Sequence, residues 1–159
     1  MALKTREAVS RRRISCLEED VFIALHRTAD VLARSVERVL RAADVSPTQY
    51  NVLRILRGSP QGLPCREIGD RMVTRDPDIT RLLDRLEKRS LISRCRETKD
   101  RRMVLTRITP QGLRLLADLD GPVTDAHRHQ LSHLGREGLG SLMNLLESAR
   151  QKVEQKQIE

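Results

Sequence analysis

At 159 residues with 38% hydrophobic side chains, the chain is long enough for one folded unit and too polar for a membrane span. Thirty Lys and Arg against twenty-two Asp and Glu leave a formal charge of +8, which favours a polyanionic partner. Phe22 and Tyr50 are the whole aromatic content, so base stacking of the kind used by single-strand and RNA binders is excluded as a main mode, leaving duplex nucleic acid read from grooves and backbone.

No apolar run approaches the ~18 residues of a transmembrane helix, and the basic start from Met1 to Arg13 lacks the apolar stretch of a signal peptide. A cytoplasmic location and no membrane partner are expected. Cys16, Cys65 and Cys95 are odd in number and far apart, which gives neither a disulfide framework nor a CxxC zinc site.

Residues 1–15 carry Lys4, Arg6, Arg11, Arg12 and Arg13 without apolar periodicity and read as a flexible basic arm. From Leu17 the apolar positions Val21, Leu25, Leu32, Val36 and Val39 recur at helical spacing, predicting a long helix within residues 16–45. Ser46-Pro47-Thr48-Gln49 opens a second helix: Ser46 can cap, Pro47 suits the first turn and Gln49 can close a capping box. Tyr50, Leu53, Ile55 and Leu56 form its expected core side.

Gly58-Ser59-Pro60-Gln61-Gly62 ends that helix, and a short one follows from about Pro64 to Met72. Gly69 inside it weakens the helix and implies a close neighbouring helix. Asp76-Pro77-Asp78 then starts a helix that buries Ile79, Leu82, Leu83 and Leu86, and turns Arg75, Asp78, Arg81, Asp84, Arg85 and Lys88 to or near the other side. Two short helices joined by a tight turn, the second with a basic face, form a helix-turn-helix pattern.

The period then changes. Leu91 to Glu97 and Met103 to Ile108 alternate like strands around the polar tip Thr98-Lys99-Asp100-Arg101-Arg102, a hairpin wing. Thr109-Pro110 opens another helix, which Gly121-Pro122 should kink or interrupt. A last helix from about Arg136 carries Leu139, Leu142, Met143, Leu146, Ala149 and Val153 on one stripe. The fold class is therefore all-α with a small β-hairpin wing, divided into the arm, an N-terminal dimerisation helix (16–45), a winged helix-turn-helix DNA-binding region (46–109) and C-terminal dimerisation helices (110–159). The dimer follows from the terminal stripes, with Leu17, Val21, Leu139, Leu142, Leu146 and Val153 as its residues, because one subunit cannot cover them.

The run from Asp78 to Arg89, followed by Asp100-Arg101-Arg102 and Ile108-Thr109-Pro110-Gln111-Gly112, resembles the multiple antibiotic resistance regulator (MarR) family. The similarity covers about Leu17 to Val153 and departs from the family pattern at Ser90, where glycine is usual between recognition helix and wing. The resemblance implies a bacterial homodimeric regulator, commonly a repressor, that releases double-stranded operator DNA when a small anionic or phenolic effector, a metal or an oxidant acts. It implies groove and phosphate contacts from Thr80, Arg81 and Arg85, with Thr74, Arg75 and Asp78 at the amino end of the helix. At the wing it implies Arg102 in the minor groove, Asp100 orienting it, and Arg101 on phosphate; Lys99 beside them is a further phosphate candidate. It also implies an effector cleft that Phe22, His26 and Tyr50 would line.

Against these stand plainer readings. Asp78 with Arg81, and Asp84 with Lys88, could be intrahelical ion pairs on a solvated face. Cys16 lies where some family members sense peroxide, but the companion tyrosines of such a site are missing, which favours an inert thiol. His129 and His133 share a helical face near His127, yet no carboxylate or cysteine completes a metal set. An architectural DNA binder and a protein-interaction winged helix remain as alternatives. An enzyme is disfavoured, because no nucleophile, base and orienter set or phosphate-cradling glycine loop is present, and no cofactor is expected.

Overall fold

The structure, a computed structural model, describes residues 16–74, 76–96 and 104–155, with side chains as far as Gln151. Its elements are α1 (Leu17–Ala42), α2 (Pro47–Arg57), β1 (Leu63–Pro64), α3 (Cys65–Arg71), α4 (Ile79–Lys88), β2 (Ile92–Arg96), β3 (Val104–Ile108), α5 (Pro110–Leu131), a 3-10 turn (Ser132–Leu134) and α6 (Gly135–Gln155). The chain divides into two compact units, one ending at Val31 and the other running from Leu32 onward. Among the described residues no helix is long and apolar enough to cross a membrane.

In the first unit α1 exposes an apolar face. Leu17, Val21, Phe22 and Leu25 all stand in solvent, Leu17 at 76%.

The second unit holds the core. The α2 start follows the predicted chemistry: the Gln49 backbone N–H donates to Ser46 Oγ at 3.2 Å, and the Ser46 N–H donates to Gln49 Oε1 at 3.0 Å. Tyr50, Val52, Leu53 and Leu56 are buried, and Ile55 is partly so. They pack with Leu40, Ile68, Leu82, Leu83, Leu86, Ile92 and Leu116 into one cluster. At the end of α2, Arg57 clamps α5 through a fork to Asp120, at 2.7 and 3.0 Å. The same guanidinium holds the Asp120 carboxyl below its ordinary range. Gly69 sits as expected against a neighbouring helix, and a methyl there would meet Ile79 at an ordinary 3.6 Å.

The sheet has three antiparallel strands in the order β1-β3-β2, with Leu63 opposite Thr106 and Cys95 opposite Leu105. The third strand, β1, is an addition to the predicted hairpin. Its Pro64 lacks an N–H, which confines it to the edge where it is found.

Two helix ends share one device. Asp44 after α1 and Ser90 after α4 take the left-handed backbone, at φ of 53° and 57°. Around each, the paired bonds of a Schellman motif close the helix: Val45 to Leu40 and Asp44 to Arg41, then Leu91 to Leu86 and Ser90 to Glu87, donor named first. Ser90 thus adopts the geometry that glycine supplies elsewhere, with Leu40, Val45, Leu86 and Leu91 all buried beneath the two turns.

Thr109 ties the start of α5 to the second turn. Its Oγ1 accepts from the Gly112 N–H at 3.1 Å and donates to the Ser90 carbonyl at 2.7 Å, while its own N–H donates to the Leu91 carbonyl. Gly112 then passes so close to that carbonyl that a Cβ would lie 2.3 Å from the Leu91 oxygen.

Of the two outcomes expected at Gly121-Pro122, a kink or an interruption, the interruption does not occur: α5 runs from Pro110 to Leu131. The missing hydrogen bond and ring clash of an interior proline cost about 3 kcal/mol. Burial of Leu116, Leu119 and Val123 along one face of α5, on both sides of Pro122, offsets that penalty.

Gly112→Ala should therefore destabilise the protein by about 1 to 3 kcal/mol in urea unfolding, since the backbone of Leu91 must shift to admit a methyl group. Ser90→Gly should stabilise it by about 0.5 to 1 kcal/mol by removing the left-handed strain of a side-chain-bearing residue. Equal midpoints for Gly112→Ala and the parent would contradict the close approach.

Candidate nucleic-acid interface

The amino end of α4 is positioned from both sides. Asn51 of α2 accepts from the Val73 N–H at 2.9 Å, fixing the turn after α3, and Asp76 accepts from the Asp78 N–H at 2.9 Å. Asp78 caps α4 by accepting from the Arg81 N–H at 3.3 Å, and its other oxygen pairs with Arg81 Nε at 3.1 Å. The carboxylate expected at a base edge is thus also the helix cap.

Leu82, Leu83 and Leu86 bury one face of α4, which leaves Thr80, Arg81, Arg85 and Lys88 exposed on the other. Thr74 is exposed in the preceding turn. Arg81 extends into solvent with 79% of its side chain accessible, and Arg85 Nε donates to the Arg81 carbonyl, laying the two guanidinium stems along one line. Arg75, Lys99, Asp100, Arg101 and Arg102 lie outside the described residues.

The expected pair of Asp84 with Lys88 is replaced by a longer-range contact. Asp84 and Glu87, one turn apart, both bind Arg94 of β2. Glu87 accepts from the Arg94 N–H at 3.1 Å and from Arg94 Nε at 2.9 Å, so backbone and side chain of the wing strand are held together. That guanidinium holds the Glu87 carboxyl below its ordinary value. Sequence reasoning missed Arg94, and the one available signal was the spacing of two acids on the wing side of α4.

The remaining expected residues fall in both units. Phe22 and His26 meet edge to face on α1, with ring centroids 4.4 Å apart, in the first unit. Tyr50 belongs to the second unit, where it joins the core beside the Arg54 guanidinium, 5.8 Å from its ring centre. Leu139 and Leu142 are exposed on α6 and Leu146 is half-buried, while the Val153 side chain lies outside the described residues. Cys16 is exposed, Cys65 packs on the core, and Cys95 accepts from Arg107 at 3.1 Å. His127, His129 and His133 are exposed, and no group of three metal-ligating side chains occurs among the described residues.

Because the Glu87 pKa is depressed on folding, its pairing with Arg94 stabilises the fold above the ordinary value of 4.5 and is lost as pH falls through the folded value. Arg94→Gln should therefore be less stable than the parent near pH 7, with the gap narrowing toward about pH 3 in urea unfolding. A gap that stays constant with pH would rule the ion pair out as its source.

A basic, exposed helix face with a capped amino end, followed by a strand pair clasped to it, is the arrangement that lays a helix in a DNA groove. Comparison with known proteins agrees. The MarR family model matches residues 45–104. The chain is 29% identical over 99 residues to the HTH-type transcriptional regulator MhqR of Bacillus subtilis, covering 62% of this chain and 68% of that one. The crystal structure of a MarR transcription factor from Planctomyces limnophilus shares 39% identity, covering 85% of this chain and 98% of its own, with a TM-score of 0.65. The transcriptional repressor CouR, solved on a 23-mer DNA duplex, shares 27% identity over 85% of this chain and 92% of its own, with a TM-score of 0.73. CouR of Rhodococcus jostii RHA1 has also been solved with p-coumaroyl-CoA, at 26% identity, over 85% of this chain and 94% of its own, with a TM-score of 0.74. The chain belongs to the MarR family of winged helix-turn-helix DNA-binding transcription regulators.

Proposed function

We propose that the protein is a ligand-responsive repressor of the bacterial cytoplasm that binds a near-palindromic operator as a homodimer. The observation that carries this reading is the α4 face of Thr80, Arg81 and Arg85, which is exposed while the opposite face is fixed in the core. Residues 46–109 supply the DNA-binding region, with Arg75 near the start of α4 and the Lys99-Asp100-Arg101-Arg102 segment between β2 and β3 completing its contacts. Residues 16–45 and 110–159 join two subunits. Leu17, Val21, Leu139 and Leu142 stand at 76%, 49%, 37% and 37% exposure, apolar area that a second copy would cover.

The effector is a small anionic or phenolic compound. CouR, with its p-coumaroyl-CoA complex, supports that class of ligand. An effector that releases DNA must bind the DNA-incompetent arrangement more tightly than the competent one.

Selection from a random duplex pool should recover two half-sites related by inversion, about 10 base pairs apart or a multiple of that. On the selected duplex Arg81→Ala should lose about 1 to 3 kcal/mol and relax the preference at one base position. Recovery of no motif would leave a charge-driven architectural binder instead. Replacing Leu142 and Leu146 together by Glu should give a monomer in sizing and weaken binding to the paired half-sites, because each half-site gains from tethering to the other. A double variant that remains dimeric would remove α6 from the interface.

A further inference from the structure

The carboxyl ends of α1 and α4 meet the start of α2 around a cleft of about 640 Å³. Its cations are Arg41, Arg85, Lys88 and Arg89, and its acids are Glu37 and Asp44. Arg89 is committed to structure: it donates to the Asp44 carbonyl at 2.6 Å and lies 3.7 Å from the Asp44 carboxylate. Arg41, Arg85 and Lys88 have no carboxylate partner among the described residues, and all three are exposed. Glu37, one turn before Arg41, makes no ion pair with it, so the cleft keeps an excess of positive charge.

Small-ligand sites enclose an apolar body and bury a few convergent polar groups. Here the cations stand at the rim instead. Arg81, Arg85 and Lys88, spaced four and three apart, run the length of the exposed α4 face, and Arg41 lines the same cleft as Arg85 and Lys88. A line of cations leading out of a groove-reading helix fits a chain of phosphates better than a single anion.

We propose that this cleft is a second DNA contact zone, in which Arg41 and Lys88 hold backbone phosphates at the groove edge beyond those reached from the amino end of α4. The inference rests on the reading of α4 as a DNA-binding helix. These contacts carry no base information, so they set the affinity for any duplex and the register of α4 on its site.

The test is binding of a mixed-sequence duplex across a salt series by the parent protein, Arg41→Ala/Lys88→Ala, and Arg41→Lys/Lys88→Arg. Each lost phosphate contact flattens the slope of log K against log salt by about 0.9, so the double alanine variant should be shallower by roughly two and weaker by on the order of tenfold or more at low salt. The charge-preserving variant should keep the parent slope. Melting without DNA separates this role from the ordinary one of cations at helix carboxyl ends, which complement the macrodipole. A double alanine variant that melts lower yet keeps the parent slope and affinity overturns the proposal and leaves α4 as the DNA reader. The proposal also fails if that variant loses only the binding of inorganic phosphate. A parent protein that binds no duplex at any salt overturns the reading of α4 and the cleft together.

Discussion

The junction where α4 ends, the wing begins and α5 starts is a backbone arrangement on which the DNA-reading surface depends. Ser90 turns the chain back in the left-handed region, Leu91 drops into the core, and Thr109 bonds both carbonyls while Gly112 lies against one of them. The contact needs three things at once: a short polar side chain that can cap, a residue without Cβ three positions later, and a tolerated positive φ. That is the physical content of the Thr-Pro-Gln-Gly segment. Without it the carbonyls of Ser90 and Leu91 and the first N–H groups of α5 would be left to find other partners in a crowded place.

The charges divide by task. Arg57 and Arg89 each join elements that are distant in sequence, to Asp120 and Asp44, while Arg94 joins β2 to Asp84 and Glu87 of the preceding α4. Arg85 and Lys88 are turned outward without acid partners among the described residues, and Arg81 keeps one only at the helix cap. Surface ion pairs contribute little singly, so the three inward arginines matter through geometry more than through stability. The outward ones are the cations that the proposed DNA contact would use.

Much of this was legible in the sequence because it is local. The 3.6-residue period gave the helices, the Ser46 to Gln49 spacing gave a cap that the structure reproduces bond for bond, and the alternation after Leu91 gave two strands. What escaped is non-local. β1 is two residues long and too short to show a period, yet it pairs with β3 more than forty positions away. Arg94 seemed an ordinary alternating strand residue, and only the fold brings it to Asp84 and Glu87. Pro122 does not interrupt its helix, because burial on both sides of it outweighs a local penalty. Tyr50 was expected on the core side of α2, and it is there.

Arg94 and Arg89 together have a mechanical consequence. One fastens β2 to the middle of α4, and the other fastens the carboxyl end of α4 to the corner between α1 and α2. Helix, wing strand and corner are thereby linked through two guanidinium groups. A displacement of α4 would therefore have to carry β2 with it or break the bonds that Arg94 makes to Glu87.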